Sequence, residues 1–384
     1  MKDLIVERAE AFIVAPPVER HSWASDQAGM YMTGTYLRLT TKGGLVGFAC
    51  VKNFTPYDFD RSVAETLRPL LPQVLGLSPL EREAAWTRLV NRLIMAAPQA
   101  QSAVDIALWD LAAKHAGLPL YQFLGGTRSK VRAYASTPML KDAKAYVDFV
   151  GKLMAKGFGA TKLHCWCEYE RDIPMVQAVR KRYGADTLAI MLDVEQRYSR
   201  ADAMRALAPL AEARTTWFEA PLLDVDVAGY RALTAKGLVD IIPGGNAIVD
   251  LGLIELCIAN RVWSRVRIDP TTCGGITPAR KIMALAEANG LNVELQSWGF
   301  TPVQAVNLHM MLAYPNCDYF EQAVPYEAFE YGSHDPIRAD AEGFVHAPPS
   351  AGLGVGVDWK AIEKASIAKY VQTRAGLKVT TPKA

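Results

Sequence analysis

The sequence predicts an α/β protein with two units, an N-terminal α+β unit and a barrel of eight parallel strands. Its 384 residues exceed the roughly 250–300 residues that one hydrophobic core organises. Up to residue 124, strand-like runs come first and helical periodicity follows, which is typical of an α+β unit. After Arg128, short apolar runs alternate with amphipathic segments. This alternation predicts parallel strands joined by helices.

The first unit is predicted to contain a small antiparallel sheet followed by helices. Strand-like runs extend from Ala11 to Val14, from Tyr36 to Thr40 and from Leu45 to Val51. Between Ser62 and Leu124, apolar residues recur at helical spacing, and the segment closes at two glycines.

The barrel prediction depends on eight strand-like runs after Arg128. They are Val131 to Ala135, Ala160 to His164, Leu188 to Asp193, Trp217 to Glu219, Ile241 to Pro243, Val266 to Asp269, Asn292 to Gln296 and Tyr319 to Glu321. Eight such runs with helices between them favour a closed parallel barrel. A doubly wound open sheet is the alternative, but no Gly-x-Gly-x-x-Gly turn follows the first run.

The composition is that of an ordinary globular protein and argues against several classes of partner. Hydrophobic residues make up 50% of the chain, charged residues 21%, and the net charge is +2. Lys and Arg are spread along the chain, so we expect no nucleic-acid partner. No apolar stretch is typical of a signal peptide or a membrane span. The six cysteines have no disulfide-framework spacing, so we expect reduced thiols and a cytoplasmic location.

Three motifs resemble those of a known family. Residues 102–126, which include Ala-Leu-Trp-Asp-Leu-Ala-Ala, closely resemble the signature helix of the mandelate racemase and muconate lactonizing enzyme family of the enolase superfamily. Trp217-Phe-Glu-Ala-Pro221 and Cys273-Gly-Gly-Ile-Thr277 resemble its barrel motifs. The resemblance covers nearly the whole chain. It implies a TIM-like (β/α)7β barrel at residues 128–321, an α+β capping domain at residues 1–127 and a homo-oligomer. The remaining segment, residues 322–384, is rich in Pro, Gly and aromatic residues, and we expect it to pack back on the capping domain.

A metal site is predicted where successive barrel strands end. Asp193 ends the third strand, Glu219 ends the fourth, and Asn246 follows the fifth. Strand ends converge on one face of a barrel, and oxygen ligands suit Mg²⁺. The resemblance implies a carboxylate at the third position, so Asn246 leaves one negative charge fewer. We therefore expect a weaker metal affinity or a neighbouring ligand such as Glu195 or Asp250.

Acid–base residues are predicted on the second barrel strand. Lys162-Leu-His164 resembles the family's Lys-x-Lys, with histidine in the second place. Since side chains alternate along a strand, Lys162 and His164 both face inward. The resemblance implies that His164 removes the proton α to a carboxylate and that Lys162 helps to polarise that carboxylate.

The opposite wall of the barrel departs from the family. Asp269 matches the Asp of the family's Asp–His dyad, but Gln296 occupies the position of the His. An amide cannot take up or deliver a proton near neutral pH, so we expect no second base there. Glu321, at the end of the eighth strand, matches a carboxyl group that binds the substrate carboxylate or its enediolate.

These residues indicate a Mg²⁺-dependent dehydratase of a sugar acid, an aldonate or aldarate. One base suffices for β-elimination, whereas a racemase needs a proton donor on each face. The departing hydroxyl could receive its proton from His164, from Lys162 or from metal-bound water. Recognition of the hydroxy-carboxylate is expected from cap-loop residues and from residues near strand ends, namely Arg20, His21, Trp23, Ser136, Trp166, Tyr198 and Trp298.

Two other functions remain open. An isomerase such as a lactone cycloisomerase needs the same enediolate and one base. The other is a protein that binds a sugar acid without converting it, which Asn246 and Gln296 together would favour.

Overall fold

The structure is a computed structural model that describes residues 2–18, 22, 33–52, 60–90 and 97–381. Within these ranges, the first unit contains a short 3-10 helix (Lys2–Leu4), three antiparallel strands and five α-helices. These are β1 (Val6–Val14), β2 (Gly34–Thr41), β3 (Val46–Lys52), α1 (Asp60–Leu67), α2 (Leu71–Val74), α3 (Arg82–Val90), α4 (Pro98–His115) and α5 (Leu120–Phe123). Strands first and helices second is the order that the sequence predicts.

Helix α4 is the centre of the first unit. Pro98 begins it, a position where proline's missing N–H has no intrahelical partner to lose. A Cβ at Gly47 would lie 2.4 Å from Leu111 Cγ, so only glycine lets α4 lie this close to β3. The Asp110 carboxylate accepts hydrogen bonds from the backbone N–H of Phe48 and of Leu353. This buried side chain therefore ties α4 to β3 and to the C-terminal segment.

The second unit alternates strands and helices. Its elements are β4 (Lys130–Ser136), α6 (Ala143–Ala155), β5 (Ala160–His164), α7 (Tyr169–Arg182), β6 (Ala189–Asp193), α8 (Arg200–Glu212), β7 (Trp217–Glu219), α9 (Val227–Thr234), β8 (Asp240–Ile242), α10 (Leu251–Ala259), β9 (Val266–Ile268), α11 (Ile276–Ala288), β10 (Val293–Leu295), α12 (Thr301–Ala313) and β11 (Tyr319–Ala323). Each of the eight predicted strands overlaps one of β4 to β11.

The strands form a closed parallel barrel. Strands β11, β4, β5, β6, β7 and β8 pair in that order, and β9 pairs with β10. The last strand lies parallel to the first, with Glu321 opposite Tyr134, so the open-sheet alternative is wrong. Large inward side chains, including Tyr134, Met191 and Trp217, fill the barrel interior.

The C-terminal segment returns to both units. It contains β12 (Phe344–His346), α13 (Trp359–Lys364), β13 (Ser366–Thr373) and β14 (Gly376–Thr380). Strand β12 pairs with β4, whereas β13 pairs with β1 and gives a five-stranded sheet of order β14-β13-β1-β2-β3. We propose division of the chain after residues 127 and 321, although β11 itself continues to Ala323.

The motif Cys273-Gly-Gly-Ile-Thr277 forms the joint between the units. Asp105 of α4 accepts hydrogen bonds from the Thr277 N–H at 2.9 Å and from its hydroxyl at 2.6 Å. Gly275 has a φ of 113°, and a Cβ there would lie 2.3 Å from the Asp105 carboxylate. Glycine is thus required both by the backbone conformation and by the close approach of Asp105. Within the described ranges, no helix has the length and apolar character needed to cross a membrane.

Candidate active site

A cavity of about 550 Å³ opens at the carboxyl ends of the barrel strands, the face on which such barrels carry their sites. Its size suits a small molecule. Its charged and polar lining includes Lys52, Lys162, His164, Asp193, Glu195, Glu219, Asn246, Arg267, Gln296 and Glu321. Seven of the eight residues predicted to act in catalysis or metal binding are in this lining. The eighth, Asp269, lies directly behind Lys52.

Strand β5 supplies Lys162 and His164 as the alternation of side chains predicts. Leu163, between them, packs in the apolar layer outside the barrel. The Lys162 side chain is 2% exposed, and its ammonium lies among three carboxylates. Its Nζ is 2.7 Å from Glu219 Oε1, 2.9 Å from Glu321 Oε1 and 3.1 Å from Asp193 Oδ2. Burial opposes the charge, but Glu219 and Glu321 raise the pKa of Lys162 well above its usual range.

His164 is oriented through its ring nitrogens. Its Nδ1 lies 2.6 Å from the Thr137 carbonyl oxygen, which can only accept a hydrogen bond, so Nδ1 carries a proton. Its Nε2 lies 3.3 Å from Asp193 Oδ2 and 3.2 Å from Glu195 Oε1. Burial would lower the pKa of His164, yet the carboxylates of Asp193 and Glu195 raise it to about 10. Nε2 is therefore the ring nitrogen that faces the carboxylates of the cavity.

Oxygen donors cluster where β6 and β7 end. Asp193 Oδ1 accepts the Glu195 N–H at 2.9 Å, and Glu195 has the left-handed φ of 49°. This turn bends the chain back, so that ligand atoms of His164, Asp193 and Glu195 lie within 4.8 Å of one another. Glu219 lies next to this group, since its Oε1 and Asp193 Oδ2 contact the same Lys162 ammonium.

Asn246 lies at the cavity rim and is exposed. The buried Asp224 holds its loop by accepting hydrogen bonds from the N–H groups of Gly244, Asn246 and Ala247. The amide oxygen of Asn246 accepts a hydrogen bond from Gln296 Nε2 at 3.3 Å. The other candidate neighbour, Asp250, caps helix α10 instead.

A buried arginine is the main feature of the inner wall that the sequence analysis missed. Arg267 Nη2 lies 2.9 Å from Glu219 Oε1 and 3.0 Å from Glu321 Oε2. Ser136 donates its hydroxyl to Glu321 Oε1 at 3.0 Å. Burial would raise the pKa of Glu321, but Lys162 and Arg267 lower it to about 2. Arg267 lies in β9 two positions before Asp269, so the two side chains are expected on the same, inward face. This spacing is the signal that could have identified Arg267.

A second missed residue, Lys52, comes from the first unit. It ends β3, and its Nζ lies 2.5 Å from Asp269 Oδ2 and 3.4 Å from Gln296 Oε1. Gln296 also donates to the carbonyl oxygen of Gly244. Asp269 and Gln296 thus contact the same ammonium group. No local signal distinguishes Lys52 from other lysines of the first unit.

The residues predicted to bind substrate differ in their position relative to the cavity. Trp298 lines the cavity, and Ser136 supports Glu321 from behind. Trp166 packs edge-on against Tyr146, and the Tyr198 hydroxyl bonds Asp172 at 2.9 Å, so both belong to the apolar layer outside the barrel. The cap-loop residues lie outside the described ranges; these are Arg20, His21 and Trp23.

The donor set fits a hard divalent cation. Asp193, Glu195, Glu219 and Asn246 present carboxylate and amide oxygens to one cavity, and such oxygens are the ligands that Mg²⁺ prefers. Asp193 and Glu219 already share one positive charge, the Lys162 ammonium.

Family models match both units. Residues 8–125 match the mandelate racemase/muconate lactonizing enzyme N-terminal domain, and residues 145–361 match the enolase C-terminal domain-like model. A 3,6-anhydro-alpha-L-galactonate cycloisomerase of Streptomyces coelicolor is 31% identical over 77% of this chain and 81% of its own. An L-talarate/galactarate dehydratase of Salmonella typhimurium is 31% identical over 65% of this chain and 63% of its own.

Solved structures agree with this relationship. A protein described as a mandelate racemase/muconate lactonizing enzyme from Pseudovibrio sp. has a TM-score of 0.94 and 39% identity, covering 97% of this chain and 100% of its own. An L-talarate dehydratase of Polaromonas sp. JS666, solved with Mg and L-glucarate, shares the fold with a TM-score of 0.83 and 23% identity, covering 96% and 98%. The chain belongs to the mandelate racemase and muconate lactonizing enzyme family of the enolase superfamily.

Proposed function

We propose that this protein is a Mg²⁺-dependent acid-sugar dehydratase, a hydro-lyase that acts on an aldonate or aldarate. The observation that supports it most is the orientation of His164, whose Nδ1 is committed to the Thr137 carbonyl while Nε2 reaches the cavity. A cation held by Asp193 would offset the carboxylate charge that raises the pKa of His164, which favours the neutral imidazole. Its Nε2 then removes the proton α to the substrate carboxylate, and loss of the β-hydroxyl as water gives a 2-keto-3-deoxy acid.

The charged groups around His164 have separate roles. Negative charge develops on the substrate carboxylate as the α-proton leaves, and the Lys162 ammonium opposes it from a buried site, where electrostatic interactions are strong. Glu321, held by Lys162 and Arg267, would bind the enediolate oxygens in its protonated form, since a carboxylate accepts hydrogen bonds and donates none. Gln296 lines the wall opposite His164, and Asp269 lies behind it against Lys52.

Asp193, Glu219 and Asn246 would hold the cation, with Glu195 as the alternative third ligand. When bound, Mg²⁺ supplies Lewis-acid stabilisation of the substrate carboxylate. The dehydratase of known structure that was solved with Mg and L-glucarate supports this choice of metal and of ligand class.

A hydroxylated acid suits the cavity better than an apolar one. Charged or polar side chains make up most of the residues that line it, and Arg267 adds positive charge on the wall near Glu321. Trp298 offers one apolar face. Recognition is completed by the cap-loop residues Arg20, His21 and Trp23. We further propose a cytoplasmic homo-oligomer.

The second candidate function is a lactone cycloisomerase. It is supported by the similarity to the 3,6-anhydro-alpha-L-galactonate cycloisomerase, and it needs the same enediolate and a single base. A binding protein without turnover would exchange no α-hydrogen. Incubation with Mg²⁺ and a panel of aldonic and aldaric acids and their lactones distinguishes the three. We expect a 2-keto acid from at least one open-chain acid; conversion of lactones alone would favour the isomerase.

Replacement of Asn246 should change the affinity for Mg²⁺ in opposite directions. Asn246→Leu removes the amide oxygen and should weaken binding about tenfold or more, whereas Asn246→Asp adds a charged oxygen and should tighten it. Isothermal titration with Mg²⁺ measures both effects. The exposed neighbour Asp250, substituted as Asp250→Asn, serves as the control. An unchanged titration for Asn246→Leu, together with lost binding in Glu195→Ala, would assign the third ligand to Glu195.

A further inference from the structure

Lys52 is a residue of the first unit whose charge lies inside the barrel site. It ends β3, yet its side chain is 3% exposed and lines the cavity. Its Nζ contacts Asp269 Oδ2 at 2.5 Å, the Gln296 backbone oxygen at 3.2 Å and the Gln296 side-chain oxygen at 3.4 Å. The Lys52 ammonium, which can donate a proton, therefore lies on the same wall as the Gln296 amide, which cannot.

This wall faces His164 across the barrel. His164 ends β5, the second barrel strand, and Asp269 directly follows β9, the sixth. Strands four positions apart in a ring of eight are diametrically opposed. A substrate between them has the imidazole on one side and the Lys52 ammonium on the other.

The surroundings of Lys52 position it and ease release of a proton. Asp269 is itself fixed, because its Oδ1 accepts hydrogen bonds from the Thr271 N–H at 2.7 Å and from Asn307 Nδ2 at 3.1 Å. Burial lowers the pKa of Lys52 from its usual range, and the nearby Arg267 acts in the same direction, while Asp269 and Glu321 oppose them. A lysine whose pKa is lowered is a better proton donor near neutral pH.

We propose that Lys52 is the general acid that protonates the departing β-hydroxyl, which deepens and depends on the proposed dehydratase function. The α-proton passes to His164 Nε2, and the Cα–Cβ double bond forms as the Cβ–O bond breaks. The leaving oxygen takes a proton from Lys52 Nζ and departs as water. The enol product becomes the 2-keto acid by tautomerisation, and solvent exchange returns a proton from His164 to Lys52, so the net reaction is loss of one water.

The test separates proton abstraction from elimination. Lys52→Met should retain exchange of the α-hydrogen in D₂O within a few-fold, because His164 is intact. Formation of the 2-keto acid should fall about 10²-fold or more, as for the loss of a general acid. A substrate with fluoride in place of the β-hydroxyl needs no protonation of its leaving group, so Lys52→Met should eliminate fluoride at close to the parent rate.

Two further variants guard against a folding defect. Lys52→Met leaves Asp269 buried without its partner, so Lys52→Met combined with Asp269→Asn removes both charges and should show the same pattern. Lys114→Met is the matched control, since Lys114 pairs with Asp110 at 2.7 Å in the same unit but away from the cavity. It should change neither rate.

Three outcomes would overturn the assignment of Lys52. They are equal losses of exchange and elimination for every substrate, elimination of water by Lys52→Met at the parent rate, and formation of the α-epimer by the parent but not by Lys52→Met. The last result would mean that Lys52 delivers its proton to Cα. If the parent forms no 2-keto acid from any sugar acid, the proposed function itself fails and this role fails with it.

Discussion

Replacing His164 with asparagine should abolish both turnover and exchange of the substrate's α-hydrogen with solvent. The amide keeps the shape of the side chain and can still donate to the Thr137 carbonyl, which now receives the Nδ1 hydrogen bond. It cannot accept a proton near neutral pH. Positioned acid–base groups contribute about 10²–10⁴-fold to rate, so both rates should fall by at least that range.

Binding measurements distinguish this loss of chemistry from a loss of structure. In His164→Asn, the affinities for Mg²⁺ and for the substrate should stay within a few-fold of the parent, because the variant removes no negative charge from the cavity. His334→Asn is the control, as His334 is exposed and lies outside the cavity lining. Exchange at more than about a tenth of the parent rate in His164→Asn would show that another group removes the proton, with Lys162 the first candidate.

Replacing Lys162 with methionine should reduce both stability and catalysis. Its ammonium contacts three carboxylates at 2.7–3.1 Å and is 2% exposed, and Arg267 contacts only two of the three. Removing one partner of a buried ion pair typically costs about 3–5 kcal/mol, so the denaturation midpoint of the metal-free protein should fall clearly. Because a charge opposite the carboxylate acts in ground and transition states, KM should rise and kcat should fall together.

A surface ion pair provides the control for the stability effect. Lys144 pairs with Asp148, but its side chain is 83% exposed, so Lys144→Met should change stability by no more than about 0.5 kcal/mol. If Lys162→Met unfolds at the parent midpoint, the ion pairs of Lys162 with the three carboxylates do not contribute to the stability of the protein. If its exchange rate alone collapses while binding persists, the proton acceptor is Lys162 rather than His164.

The fold was predictable from the sequence because strand and helix periodicities are local. The inward positions of Lys162 and His164 follow from the two-residue repeat of a strand, and strand ends bring Asp193 and Glu219 to one face. Lys52 shows the limit of such reasoning. Its partner Gln296 is 244 positions away, and no local pattern states which residue of one unit reaches into the other.

The rest of the site depends on backbone paths beyond the strands. Trp166 and Tyr198 follow strands β5 and β6, where the alternation of side chains no longer applies, and both turn toward Asp172 and the outer helices. Glu195 reaches His164 through a left-handed turn at a residue other than glycine, which residue type alone does not predict. Asn246 is placed at the rim by Asp224, a contact between separate strand ends.

The most direct test of the account follows one sugar acid that the protein converts, in D₂O with Mg²⁺, by proton NMR and product analysis. We expect a 2-keto-3-deoxy acid as the product, with the α-hydrogen of the substrate lost to solvent and no α-epimer released. A product formed without loss of water, or turnover in which the α-hydrogen is never removed, would contradict proton abstraction followed by dehydration.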